Sequence, residues 1–166
     1  MKSDAIKHSM YYGLILGATF ILNFFLSQAS GVLWKIVQML VVFSIPFLVF
    51  YITKNCRDEV NEGVMSYGSA FVYGVQLFFY ASMVSSAFKY LYFKFIDPKF
   101  LKEMSAQMMS LMEQVSFPII DEVVDAMKQL FTPIGMSMQY MWLNVTIGIF
   151  VSLIVAVFVR KGKSVF

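Results

Sequence analysis

The sequence is poor in charged residues, and it contains a single cysteine and a single histidine. Charged residues make up 14% of the 166 residues and hydrophobic residues 59%, whereas soluble globular proteins carry roughly 25% and 45 to 50%. A water-soluble fold of this composition would expose large apolar patches, which soluble monomers rarely do. The composition therefore speaks against a soluble enzyme and predicts a membrane protein.

The residues that could carry chemistry are also few. Cys56 allows neither a disulfide within the chain nor a cysteine cluster for zinc or iron–sulfur. His8 lies in a short N-terminal tail beside Lys7 with no evident partner, so we expect a solvated side chain. We find no nucleophile elbow, phosphate-binding glycine loop or zinc motif. The sequence therefore predicts no enzymatic activity, no cofactor and no metal site. The net charge of +3 comes without a basic run, so we expect no nucleic-acid partner.

Four long stretches lack charged residues, and each can cross a bilayer once its flanks are included. Lipid offers no partner to a free backbone group, so these stretches are predicted to be helices. We expect one all-α membrane domain over residues 1–166, with transmembrane helices at about 9–28, 33–53, 68–93 and 134–159. A cleaved signal peptide is the alternative for the first stretch, because Ser27-Gln28-Ala29 has the spacing of a cleavage site.

The distribution of lysine and arginine predicts the orientation. With four spans, the two termini and the loop at 53–68 share one side, whose short segments hold Lys2, Lys7, Lys54, Arg57, Arg160, Lys161 and Lys163. The basic residues of the other side are diluted by acidic ones. The positive-inside rule therefore favours both termini in the cytoplasm.

Small and polar residues mark helix faces that could meet other helices. Gly13 with Gly17, Ala70 with Gly74, and Gly148 with Ser152 are spaced four apart, which permits close backbone approach. A polar stripe in the third span is formed at helical spacing by Ser82, Ser85, Ser86 and Lys89. It could line a path for an anionic headgroup or a small solute. It could equally consist of packing serines below a lysine that reaches the membrane surface, which is the interpretation we favour.

The segment between the third and fourth spans predicts an amphipathic helical hairpin at 98–131 on the outer side. Its first helix carries an apolar face formed by Leu101, Met104, Met108, Leu111 and Met112. Ser116 and Pro118 are expected to begin the second helix, and Thr132-Pro133 to separate it from the last span. The methionine-rich face could bind a partner protein, rest on lipid headgroups or pack on the spans.

The inner loop enters the third span through a short motif, Gly63-Val64-Met65-Ser66-Tyr67-Gly68-Ser69-Ala70. Gly63 and Gly68 punctuate the loop, Ser66 can cap the helix, and Tyr67 suits the membrane interface. The motif resembles an element of the bacterial membrane-protein family called domain of unknown function 4199. The resemblance covers nearly the whole chain. It implies a four-helix inner-membrane protein of unassigned activity, and it brings no catalytic residues.

Packing signals without chemistry favour a non-enzymatic accessory or scaffold subunit of a membrane complex. The expected partners are membrane lipids and either another membrane protein or a second copy of the chain. The alternative function is a small oligomeric transporter or channel for a small solute or lipid, with the polar stripe facing its pathway.

Overall fold

The computed structural model describes residues 3–114 and 121–162, and its regular structure there is helical. The six α-helices are α1 Ser3–Gln28, α2 Val32–Asn55, α3 Tyr67–Leu91, α4 Pro98–Gln114, α5 Asp121–Leu130 and α6 Pro133–Val159. Four of them, α1, α2, α3 and α6, are long and apolar enough to cross a membrane. The predicted helical class and the predicted number of such helices are therefore confirmed.

Two helices continue into a π-helical turn, which the sequence did not predict. Cys56–Val60 follows α2 and Tyr92–Ile96 follows α3. Each turn is closed by a backbone amide five residues on: Asn61 N–H donates to the Cys56 carbonyl at 3.2 Å, and Asp97 N–H donates to the Tyr92 carbonyl at 2.9 Å. These turns lengthen the apolar segments to Val60 and Ile96.

The chain divides into two compact units. The first unit comprises Met1–Ser85 with Met141–Phe166, and the second unit comprises Ser86–Tyr140. The core of the first unit contains residues of α1, α2, α3 and α6, and its largest fully buried side chains are Tyr73, Phe78 and Leu16.

Small residues bring helices of the first unit close together, as their spacing predicts. A Cβ atom added to Gly13 of α1 would lie 2.7 Å from the Cβ atom of Tyr80 on α3. One added to Gly17 would lie 3.0 Å from the Ala81 carbonyl oxygen. Because real Cβ atoms do not approach other atoms this closely, only glycine permits this packing of α1 on α3.

The contact between α3 and α6, which we call the α3–α6 seam, is equally close. A Cβ atom on Gly74 would lie 2.5 Å from the hydroxyl oxygen of Ser152, and one on Gly148 would overlap the ring of Phe78. Each of these glycines thus makes room for a side chain of the other helix: Gly74 of α3 for Ser152, and Gly148 of α6 for Phe78.

Helix α2 is the exception, because its packing is confined to one end. Val49, Ile52 and Thr53 are buried, whereas residues 32–48 contain no buried residue. Two hydrogen bonds also join it to α1: Lys35 Nζ donates to the Ser27 carbonyl at 2.9 Å, and Asn55 Nδ2 donates to the Tyr12 hydroxyl at 3.1 Å.

In the second unit, α4 and the start of α6 are placed by capping and aromatic packing. Asp97 caps α4, its Oδ1 accepting from Phe100 N–H at 3.1 Å. Thr132 caps α6, its hydroxyl oxygen accepting from Gly135 N–H at 3.1 Å, which confirms the predicted boundary at Thr132-Pro133. The predicted start of α5 at Ser116 and Pro118 lies outside the described residues.

Candidate functional site

The part of the polar stripe on α3 that precedes Ser86 is buried in the first unit. Ser82 and Ser85 are both fully buried, and their hydroxyl oxygens have no hydrogen-bond partner within the described ranges. Ser82 lies one helical turn beyond Phe78, the residue that packs on Gly148 in the α3–α6 seam. The serine therefore lies on the same face of α3 as a residue that packs on α6.

The rest of the stripe lies in the second unit and makes specific contacts there. The Ser86 hydroxyl donates to the Ser137 carbonyl at 2.8 Å. Lys89 is only 4% exposed, and its Nζ lies 4.0 Å from the ring centroid of Tyr140. An aromatic face attracts a cation electrostatically, most strongly where water is excluded. Lys89 is thus buried against Tyr140, so the expectation that this lysine reaches the membrane surface is wrong.

The Tyr140 ring beside Lys89 belongs to a stack of aromatic rings. Phe93, which is fully buried in the π-helical turn, stacks on Tyr140 with ring centroids 6.4 Å apart. On α4, Phe100 stacks on the same Phe93 at 5.7 Å. The ring that Lys89 contacts is therefore held by packing within the second unit.

The predicted apolar face of α4 is divided by its burial. Leu101 is buried, Met104 and Met112 are partly buried, and Met108 and Leu111 are exposed. The first turns of the helix therefore contribute to the core of the second unit. The later turns leave apolar side chains uncovered among the described residues.

In the loop-to-helix motif, Gly63 and Ser66 lie at a turn and a helix cap, whereas Gly68, predicted in the loop, lies in the first turn of α3. Gly63 adopts a φ of +77°, which favours glycine. The Ser66 hydroxyl oxygen accepts from Ser69 N–H at 3.2 Å and so caps α3. Ala70 is buried, whereas Gly68 has no neighbour that an added Cβ would meet. The Tyr67 hydroxyl donates to the Leu153 carbonyl of α6 at 3.4 Å.

A polar cluster that the sequence did not predict lies in the first unit, where α1, α2 and α3 meet. The expectation of a solvated His8 is wrong: its Nδ1 lies 2.6 Å from the Tyr73 hydroxyl, and its ring stacks on Tyr12 at 4.3 Å. Cys56 is fully buried rather than placed in an open loop, and its thiol neighbours the Tyr73 hydroxyl. Asn55 completes the cluster through Tyr12.

One sequence signal could have indicated this cluster. His8 and Tyr12 are four residues apart at the start of the first apolar stretch, which is the spacing of neighbours on one helix face. Their partner Tyr73 is 65 residues away from His8 in sequence, and no local pattern predicts that contact. The cluster can exchange hydrogen bonds, but in the described part of the chain no three histidine, cysteine or acidic residues are grouped for a metal.

Comparison with known proteins identifies a family. The family model described as "Protein of unknown function (DUF4199)" matches residues 10–161. The match includes the motif from Gly63 to Ala70, the α3–α6 seam, the whole second unit and most of the first, whereas His8 lies outside it. No curated protein and no solved structure matches the chain significantly.

Proposed function

Because the chain belongs to the DUF4199 family of proteins of unknown function, we propose its role from its own surfaces. We propose that it is a multi-pass protein of the bacterial inner membrane, with both termini in the cytoplasm. Its role there is that of a non-enzymatic accessory or scaffold subunit of a membrane complex.

Exposed aromatic side chains on the long helices support membrane insertion. On α2, Phe43 is 60% and Phe47 75% exposed, and on α6, Phe150 is 62% exposed. Water would oppose such surfaces, whereas hydrocarbon accepts them and also requires the helical backbone found here. The basic residues that flank α1, α2 and α6 on the side of the termini support the cytoplasmic assignment of that side.

The observation that carries the scaffold role is the uncovered half of α4. Met108 and Leu111 are 47% and 54% exposed, although α4 is not one of the four helices that are long and apolar enough to cross a membrane. In our proposal, α4 and α5 form a hairpin on the outer side of the membrane. Flexible, polarisable methionine suits a surface that adapts to a partner.

The burial of Cys56 and the ring contacts of His8 support a role without catalysis. Cys56 is fully buried and the ring of His8 is held by Tyr73 and Tyr12. A catalytic nucleophile needs access to its substrate and a base oriented towards it. The cluster instead ties α1 to α3, which is a structural task.

The experiment is quantitative co-purification of the tagged chain in mild detergent, followed by reciprocal capture through the tag of any stoichiometric partner. The variant carries Met108→Glu and Leu111→Glu. The matched control carries Gln107→Glu and Ser110→Glu, which add the same charge at exposed positions of the same helix.

We expect the amount of partner recovered with the apolar-face variant to fall at least tenfold, because buried carboxylates oppose an apolar contact. The control should recover as much partner as the unmodified chain. Recovery of the chain by itself in repeated captures would contradict the scaffold role. Equal partner recovery by the variant and the control would refute this part of α4 as the contact.

A channel or transporter is the second candidate, and the buried, unpartnered hydroxyls of Ser82 and Ser85 favour it. Such groups could exchange hydrogen bonds with a permeating solute. Conductance across planar bilayers containing the protein tests this role. A pathway predicts currents that Ser82→Leu abolishes and the lipid-facing control Leu143→Ala leaves unchanged, whereas silent bilayers would count against it.

A further inference from the structure

An apolar groove lies between α2 and α6 in the first unit. It has a volume of about 320 Å³ and is lined by Pro46, Phe47, Phe50, Ile154, Val155 and Phe158. Val155 is 6% exposed and forms its floor, whereas Phe47 and Phe158 are 75% and 70% exposed and form its walls. The volume lies at the lower end of the range for ligand pockets, about 300 to 1,000 Å³, so a slender apolar group would fit.

Cations stand at one end of this groove. Lys54 follows Phe50 by one helical turn, about 6 Å along α2, and Arg160 comes two residues after Phe158. Both side chains are exposed. Arg57 joins the two helix ends, its Nη1 donating to the Val159 carbonyl at 3.0 Å.

Two carboxylates, Asp58 and Glu59, belong to the π-helical turn near this end. Asp58 pairs with Arg57 at 2.7 Å and lies within electrostatic reach of Lys54 and Lys161. The carbonyl end of α6 would repel an anion, but the Val159 carbonyl accepts from Arg57 and the Lys161 carbonyl accepts from Met65 N–H at 3.0 Å. The side chains of Lys54 and Arg160 are exposed and can reach an anionic group, although Asp58 interacts with Lys54 as well.

The side chains of the groove distinguish a lipid chain from another helix. Helices pack closely in membranes through small residues such as glycine, alanine and serine. The groove has none of these and is lined instead by three phenylalanines, a proline, an isoleucine and a valine. An acyl chain is flexible and can follow such an irregular surface.

We propose that this groove binds one acyl chain of an anionic phospholipid, with Lys54 and Arg160 binding its phosphate. The site rests on the membrane insertion proposed above. By the positive-inside rule its charged end faces the cytoplasmic leaflet, where anionic lipids attract juxtamembrane basic residues.

The test is native mass spectrometry of the full chain released from nanodiscs of equal phosphatidylglycerol and phosphatidylcholine with identical chains. We expect phosphatidylglycerol to be retained at least fivefold over phosphatidylcholine. The variant Lys54→Gln with Arg160→Gln should lose most of that preference, because each cation removed lowers the affinity for the anionic lipid by about fivefold. Lys99→Gln with Lys102→Gln removes the same charge at exposed positions of the second unit and should retain it.

The acyl part of the site is tested by filling the groove. Ile154→Trp places a bulky indole ring in the groove, whereas Ile147→Trp makes the same change two turns away on α6. We expect only Ile154→Trp to reduce lipid retention. A dimer that Ile154→Trp abolishes, without bound lipid, would assign the groove to a second copy of the chain and overturn the proposal.

A reporter keeps the proposal testable if a groove variant does not fold. In a background of Trp34→Phe and Trp142→Phe, Phe50→Trp should be quenched by a few mole per cent of tail-brominated phosphatidylglycerol more strongly than Phe43→Trp. Equal quenching, or equal retention of the two lipids, would overturn the lipid site and leave membrane insertion standing. A chain that stays in solution without detergent would instead overturn the membrane assignment.

Discussion

Helices α2 and α3 show opposite relations between hydropathy and burial. The most apolar 18 residues of α2 have a mean hydropathy of 2.2 and are 17% buried, whereas those of α3 have a mean hydropathy of 1.3 and are 44% buried. The more hydrophobic helix is thus the less buried one. In a water-soluble protein the opposite order would be expected, because burial there follows apolar area.

An apolar solvent, which the proposed membrane insertion would supply, explains the difference. Hydrocarbon surrounds leucine or phenylalanine as well as a protein interior does, so close packing and polar contacts decide which helix is buried. Helix α3 provides Ala70, Gly74 and two serines for that purpose. The exposed face of α2 carries Phe43 and Phe47, whose rings neither permit close backbone approach nor make polar contacts.

The largest effect is expected where α3 meets α6. Gly148→Leu would drive a side chain into Phe78 and should lower the free energy of unfolding by about 3 kcal/mol, the upper range for overpacking. Gly68→Leu is the matched control, because an added Cβ meets no atom within 4 Å there. Unfolding by SDS, followed by circular dichroism, measures both. Equal losses would show that the seam does not depend on the glycine.

A smaller effect separates the two ends of α2. Ile52→Ala should cost about 2 kcal/mol, because it opens a cavity in the core of the first unit. Phe43→Ala, at a position 60% exposed, should cost less than about 0.5 kcal/mol although it removes more atoms. The same SDS titration gives both values. A larger loss at Phe43 than at Ile52 would show that a partner covers the exposed part of α2.

The smallest effect concerns the polar link between α1 and α3. Tyr73→Phe removes the hydroxyl that lies 2.6 Å from His8 Nδ1 and should cost about 1 kcal/mol. Tyr11→Phe removes an exposed hydroxyl from α1 and should be neutral. A double-mutant cycle with His8→Ala isolates the pair. A coupling energy near zero would mean that the bond contributes nothing to stability.

Composition and spacing predicted the helices and their close contacts well. The uncharged stretches correspond to α1, α2, α3 and α6, because lipid selects long apolar helices whatever their function. The glycines at Gly13 and Gly74 lie at tight contacts, and Ser66 and Thr132 cap the helices that follow them. The signals behind these features are local even where the contact is not, because an apolar run, a small residue every four positions and a capping residue can each be read from neighbouring positions.

The cluster around His8 could not be predicted, because it depends on contacts between distant segments. The His8 partner, Tyr73, belongs to another helix, and the burial of Cys56 depends on a π-helical turn that has no clear sequence signature. The division of the α4 face between buried Leu101 and exposed Leu111 likewise depends on packing within the second unit. Periodicity predicts an apolar face and does not predict what covers it.

Membrane topology is the premise on which these comparisons depend, and labelling of single cysteines measures it most directly. In a Cys56→Ala background, Asp4→Cys, Lys102→Cys and Gly162→Cys each introduce one thiol at an exposed position. A membrane-impermeant maleimide applied to intact cells should label only Lys102→Cys, and all three should react after the cells are opened. Labelling of just one terminus in intact cells, or recovery of the folded chain without detergent, would contradict four spans with both ends in the cytoplasm.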